Sequence, residues 1–176
     1  TGGTISGVSQ YLNEQKDQQR LQGEDIYASR RLEVILADPQ GSSLFHRVKD
    51  GVCFTIEQRE RKQKKHRYDT IVEGVGLDRV TANFQNAQID FAERITDQEV
   101  VDTAHWLLKH EGLFVSSSSA LNIAASIRVA KRIGPGNRIV TIICESGQRH
   151  YSRFYNPEYL SECGLQWPNE SDSEED

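Results

Sequence analysis

Two short apolar runs, each stopped by a glycine-bearing loop, set the architecture of this chain. Leu32-Glu33-Val34-Ile35-Leu36-Ala37 ends in Asp38-Pro39-Gln40-Gly41, and Ile139-Val140-Thr141-Ile142-Ile143 runs into Glu145-Ser146-Gly147. Runs of this length, rich in branched side chains and bounded by turn residues, predict strands buried on both faces. The second run is the best strand in the chain, and Asp90 to Ile95 predicts a shorter one. Helical patterns lie between them. Strand and helix alternating from end to end predict an α/β fold, a three-layer αβα arrangement around a largely parallel sheet.

The helical patterns are specific. Val8 to Gln15 predicts a short helix with Val8, Tyr11 and Leu12 on one face. Thr96-Asp97-Gln98-Glu99 has the spacing of a capping box. The helix it opens is expected to reach about Lys109, with Val100, Ala104, Leu107 and Leu108 inward, and Gly112 stops it. Ala120 to Arg132 predicts another helix, with Ile123, Ile127 and Ala130 at helical spacing and Gly134-Pro135-Gly136 as its end. A further helix is expected through Phe154, and loop beyond Pro157. The expected division is a cofactor-binding α/β domain over residues 1–160 and an acidic disordered tail over 161–176, its disorder most marked from about Trp167.

Composition narrows the function classes. The chain has 176 residues, 36% hydrophobic and 27% charged, which suits one globular domain. Its net charge of -5 sits in the five tail acids Glu170, Asp172, Glu174, Glu175 and Asp176, so the remainder is neutral and carries no global field for nucleic acid. Residues 57–67 hold six Lys or Arg with no Phe, Tyr or Trp among them, and read as a solvated loop or exposed helix. No apolar run approaches the ~20 residues of a membrane helix. Cys53, Cys144 and Cys163 are odd in number and widely spaced. They fit neither a zinc site nor a disulfide framework, and point to a reducing, intracellular compartment, cytoplasmic or mitochondrial.

Four segments can carry chemistry. Thr1-Gly2-Gly3-Thr4-Ile5-Ser6-Gly7 is a glycine-rich loop whose amides and hydroxyls suit a phosphate at a helix start, or a tight turn. Loops of this kind normally follow a strand, so the opening implies a fragment of a longer protein, the preferred reading, or a floppy terminus. Glu73-Gly74-Val75-Gly76 turns the backbone at both glycines. Ser116 to Ser119 stand between the apolar Leu113-Phe114-Val115 and a helix, more hydroxyls than a cap requires. Glu145-Ser146-Gly147 closes the best strand, where ligands collect in open α/β sheets.

Taken in order, these motifs resemble the cysteine synthase and cystathionine β-synthase family of pyridoxal-phosphate enzymes, over roughly the chain up to Tyr155. The likeness is greatest to fungal-type cysteine synthases and to the C-terminal portion of the tryptophan-synthase-β-like fold. The resemblance implies pyridoxal 5′-phosphate as cofactor, with Thr1, Gly2, Gly3 and Thr4 matching the loop that binds its phosphate. Ser118 matches the serine that bonds the pyridine nitrogen, Ser119 the second serine, and Ala120 stands where the family has glycine. Gly74 and Gly76 match a glycine loop near the cofactor and the incoming substrate. The family's Schiff-base lysine and its substrate-carboxylate loop lie upstream of the phosphate loop. The resemblance therefore implies no catalytic residue within this chain, and Lys109 and Lys131 read as surface helix residues. It further implies an amino-acid substrate with sulfide or a thiol, an N-terminal segment of the same enzyme as partner, and a homodimer. The reaction implied is β-replacement, forming L-cysteine from O-acetylserine and sulfide. Sibling reactions of the cystathionine β-synthase or serine dehydratase type, and a non-catalytic binding or regulatory protein that keeps the fold, are the alternatives.

Overall fold

The computed structural model describes residues 2–21, 32–55 and 70–168. Its elements are α1 (Gly3–Leu21), β1 (Ile35–Pro39), α2 (Leu44–Asp50), α3 (Ala82–Gln85), β2 (Phe91–Ile95), α4 (Asp97–Trp106), α5 (Ser117–Ile133) and α6 (Pro157–Glu162). β1 and β2 pair in parallel, Ile35 opposite Phe91 and Pro39 opposite Ile95. Alternate residues of the two strands face opposite ways. Leu36 and Ala92 join Leu44 and Phe84 in one apolar cluster, with Ile5 of α1 packed against it. Ile95 and Ala37 serve a larger one, with Val100, Val101 and Ala104 of α4, Leu121, Ala124 and Ala125 of α5, and Leu160 of α6. Helices thus cover both faces of the sheet, and the layers are αβα.

The expected elements at residues 90–112 form almost as read. Thr96 and Glu99 close the capping box in both directions, and Gly112 ends the segment at φ +67° after a π-helical stretch, Leu107–Glu111. Leu108 is exposed, because the wider π turn rotates it off the buried stripe that Val100, Ala104 and Leu107 follow.

Five expectations are corrected. The first helix starts at Gly3 and reaches Leu21, so most of the glycine-rich opening is helical; the buried face carries Ser6 and Ser9, while Val8 and Tyr11 are exposed. α5 turns Leu121, Ala124, Ala125 and Val129 inward, toward the cluster shared with α4, and leaves Ile127 and Ala130 exposed. Ile139–Ile143 is not a strand: no ladder pairs it, and Val140 is 85% exposed. The segment after Ser146 makes only a 3-10 turn, Gly147–His150, and further turns to Tyr155. Beyond Asn156, where loop was expected, α6 forms, because Asn156 caps it, Pro157 occupies its first turn and Leu160 is fully buried.

The end of the described chain docks on α4. Gln98 donates to the Gln166 carbonyl at 3.0 Å and accepts from its amide at 2.8 Å, and Trp167 meets His105 edge-on at 4.2 Å. The charge run at 57–67 and the tail from residue 169 lie outside the described residues. Among the described residues no helix is long and apolar enough to cross a membrane. All three cysteines are free and exposed.

The capping box fixes where α4 leaves the sheet. Thr96→Ala removes the hydroxyl that takes the Glu99 amide, and is expected to cost about 1 kcal/mol. Urea unfolding of the variant against the parent protein measures it.

Candidate functional site

The carboxyl ends of β1 and β2 are joined by a buried polar network. Gln40 follows β1, and its amide donates to the Ile95 carbonyl at 3.0 Å. Its side chain accepts from the Asp97 amide at 3.2 Å and donates to the Asp97 carboxylate at 3.1 Å. That carboxylate also accepts from the Ile71 amide at 3.0 Å and from the Thr70 hydroxyl. Burial raises the pKa of Asp97, and the bonds from Thr70 and Ile71 oppose the rise.

This network delivers the Glu73-Gly74-Val75-Gly76 loop. Val72 is buried and its amide donates to Thr70 Oγ1 at 3.1 Å. Gly74 and Gly76 both have left-handed backbones, φ +79° and +84°, as the double turn requires. A Cβ on Gly76 would lie 2.9 Å from Pro39 Cγ, so the loop closes against the end of β1. Its far end is clamped at Leu77, whose amide donates to Ser42 Oγ at 3.0 Å and whose carbonyl accepts from the Ser43 hydroxyl at 3.0 Å. Between these clamps Gly74 is exposed, with open space where a side chain would point.

The serine run forms the start of α5 beside this loop. Ser116 is the N-cap and accepts from the Ser119 amide at 3.2 Å. Ser117 accepts from the Glu73 amide at 3.2 Å, and Ser119 from the Cys144 amide at 2.8 Å. Ser118 differs. Among the described residues its hydroxyl meets only that of Ser116, at 3.1 Å, and it is the most exposed of the four at 8%. A hydroxyl can make three hydrogen bonds, so Ser118 retains capacity for a ligand. Glu145-Ser146-Gly147 holds the run from the other side. Ser116 donates its amide to the Glu145 carbonyl at 3.0 Å, Gly147 donates to the Phe114 carbonyl at 3.0 Å, and the buried His150 bonds the Glu145 carboxylate at 3.1 Å. Tyr155 underpins the same corner, donating to the Val115 carbonyl at 2.7 Å, and burial pushes its pKa up to about 12.

The glycine-rich opening is attached elsewhere, over the smaller cluster. Gly2 has φ +80°, and a Cβ there would meet Phe84 Cβ at 2.7 Å, so both the backbone and the contact require glycine. The first backbone bond of α1 runs from Ser6 to Gly2. The Gly3, Thr4 and Ile5 amides therefore have no partner within the helix, and Gly3 and Thr4 are exposed. Thr1 lies outside the described residues. The structure thus joins Gly74 to the serine run through Glu73 and Ser117, and sets Gly2 to Thr4 on a separate support.

A family model described as pyridoxal-phosphate dependent enzyme matches residues 1–145. The chain belongs to this family. Cysteine synthase 2 of Schizosaccharomyces pombe is 48% identical over 162 residues, covering 91% of this chain and 38% of that protein. Cysteine synthase 2 of Neurospora crassa is 38% identical over 177 residues, covering 99% of this chain and 36% of that protein. Among solved structures, an O-acetylserine dependent cystathionine β-synthase from Helicobacter pylori is similar, with a TM-score of 0.62 and 28% identity over 86% of this chain and 40% of that one. The chain spans less than half the length of each of these relatives.

Sequence reasoning missed Gln40, Ser42, Asp97 and Ser117 as builders of the site. Asp97 was legible only as a first-turn acid of α4 and Gln40 only as a turn residue. Their pairing depends on parallel strands ending side by side, which no local pattern records.

Asp38 makes the β1 end sensitive to pH. It is buried and accepts from the Phe45 amide at 2.7 Å. Burial pushes its pKa from 3.8 up to about 6, and the bonds from Ser42 and Phe45 and the charges of Arg94 and His46 offset only part of that. A carboxyl with a raised folded-state pKa holds its proton more tightly in the folded protein. Its contribution to stability is therefore complete below about pH 4 and is lost as pH rises through about 6. Asp38→Asn removes this dependence. Between pH 4 and 7 the parent should lose about 2–3 kcal/mol relative to the variant, read by urea unfolding at each pH.

Proposed function

We propose that this chain is the cofactor-holding part of a cysteine synthase that forms L-cysteine from O-acetylserine and sulfide by β-replacement. The relatives named cysteine synthase 2 support the activity. The observation that carries the site is Ser118, the one hydroxyl of the serine run whose residue keeps some exposure and whose bond, among the described residues, is to Ser116 alone.

The residues present fit pyridoxal phosphate. The Gly3 and Thr4 amides at the positive end of α1, unpartnered within the helix, with the Thr4 hydroxyl, suit a dianionic phosphate. Bound there, the cofactor supplies an electron sink for loss of the substituent on the β-carbon. Ser118 presents a neutral hydroxyl to the ring nitrogen, so it orients the ring without imposing a proton on that atom, as a carboxylate would. Gly74 lets the backbone approach the amino-acid substrate. On this reading the Schiff-base lysine lies in the part of the relatives' length that this chain does not span.

The exposed apolar run Ile139–Ile143 supports a further segment of the same protein as partner, since a strand-forming sequence left unpaired is completed by another strand. A homodimer in an intracellular compartment completes the proposal. The Helicobacter pylori structure favours a second reading, cystathionine formation, in which a thiol amino acid replaces sulfide.

The test uses the longer protein that contains this chain. With O-acetylserine, cysteine should appear with sulfide and depend on added pyridoxal phosphate; product with homocysteine alone favours the second reading. Ser118→Ala should cost about 1–3 kcal/mol of cofactor binding, roughly 5- to 150-fold in affinity. Ser116→Ala removes the helix cap and should lower stability by about 1 kcal/mol with a smaller effect on affinity. A larger loss of affinity from Ser116→Ala would overturn the assignment of Ser118.

A further inference from the structure

Ser117 is fully buried at the first helical position of α5, where no hydroxyl is needed for the cap, because Ser116 supplies it. A buried hydroxyl requires a partner. That of Ser117 is 44 positions away along the chain: it accepts the Glu73 amide at 3.2 Å. The loop that Glu73 opens is fixed on either side by further contacts, and Val72 and Val75 pack into the apolar cluster to which α5 contributes. Val72 is held by Thr70 and by burial, Gly76 by Pro39, and Leu77 by Ser42 and Ser43. The Glu73 side chain adds an ion pair with Arg153 at 3.3 Å, but both groups are at least half exposed, and such pairs hold geometry weakly. Among the described residues the hydrogen bond to Ser117 is therefore the polar tie between the backbone beside Gly74 and the helix start.

Ser117 and Ser118 are consecutive in one helical turn. A ligand that fixes the Ser118 hydroxyl fixes the backbone carrying Ser117, and with it the acceptor for Glu73. We propose that Ser117 is a positioning residue whose hydroxyl makes the glycine loop at Gly74 follow the ligand state of Ser118. The proposal rests on the assignment of Ser118 to the cofactor ring. It places control of the substrate side of the site in a residue that touches neither cofactor nor substrate.

The experiment is hydrogen–deuterium exchange over residues 70–77 in the longer protein, with and without pyridoxal phosphate. It compares the parent with Ser117→Val, Ser117→Thr and Ser117→Ala, with cofactor affinity measured in parallel. Valine and threonine add the same methyl group and differ in the hydroxyl. In the parent, cofactor should slow exchange at Glu73 and Gly74 by about fivefold, the worth of one hydrogen bond. The slowing should vanish in Ser117→Val and Ser117→Ala and return in Ser117→Thr. Coupling is reciprocal, so cofactor affinity in the valine variant should fall by about the same factor and no more. A purely structural role would speed exchange equally with and without cofactor. Slowing that persists in Ser117→Val, or in Ser117→Ala should the valine variant not fold, overturns the proposal, as does slowing that is lost in Ser117→Thr. Unchanged cofactor affinity in Ser118→Ala instead removes the assignment on which the proposal rests.

Discussion

The site depends on one buried carboxylate. Asp97 stands where β2 passes into α4, and its oxygens hold Gln40 from the end of β1 and Thr70 and Ile71 from the approach to the glycine loop. Removing charge from water is unfavourable, and the raised pKa of Asp97 records that cost. Donors from two other segments offset it, so the carboxylate sits well only when all of them arrive together. Helix capping by Thr96, closure of the β1 loop and delivery of Gly74 are thereby linked through a single side chain.

The serine run shows how one composition serves several ends. Four consecutive hydroxyls are divided by helix geometry: one caps, one reaches the glycine loop, one secures the segment before Glu145, and one bonds the cap itself. A polar cluster this deeply buried is stable because its members satisfy one another and neighbouring amides. The start of α5 is thus held on three sides, and Ser118 is its least buried hydroxyl.

Much of this was legible in the sequence. The capping box at Thr96, the double turn at Gly74 and Gly76, and the strand at Phe91 to Ile95 each follow from local chemistry, and local chemistry decides them in the structure. The misreadings occurred where distant packing decides. Val8 and Tyr11 have the character of an inward face, but α1 packs through Ser6 and Ser9, whose small side chains allow Ser9 to bond the Gln88 amide. Ile127 has the character of core, but α5 turns Leu121, Ala124 and Ala125 to the cluster it shares with α4. Ile139 to Ile143 has strong strand chemistry and no ladder here, since a strand exists only through its neighbour. Of the site residues, Ser118 and Gly74 were readable through a known motif, whereas Ser117 and Asp97 act through contacts between segments.

The meeting of Pro39 and Gly76 ties two distant positions into one unit of evolutionary variation. A side chain at 76 needs both a backbone that tolerates a left-handed turn and a smaller ring or side chain at 39. Either change alone gains nothing, and the first is disfavoured wherever it arises. Drift at this corner must cross an unfavourable intermediate, so the two positions should covary among descendants of this chain or stay fixed together.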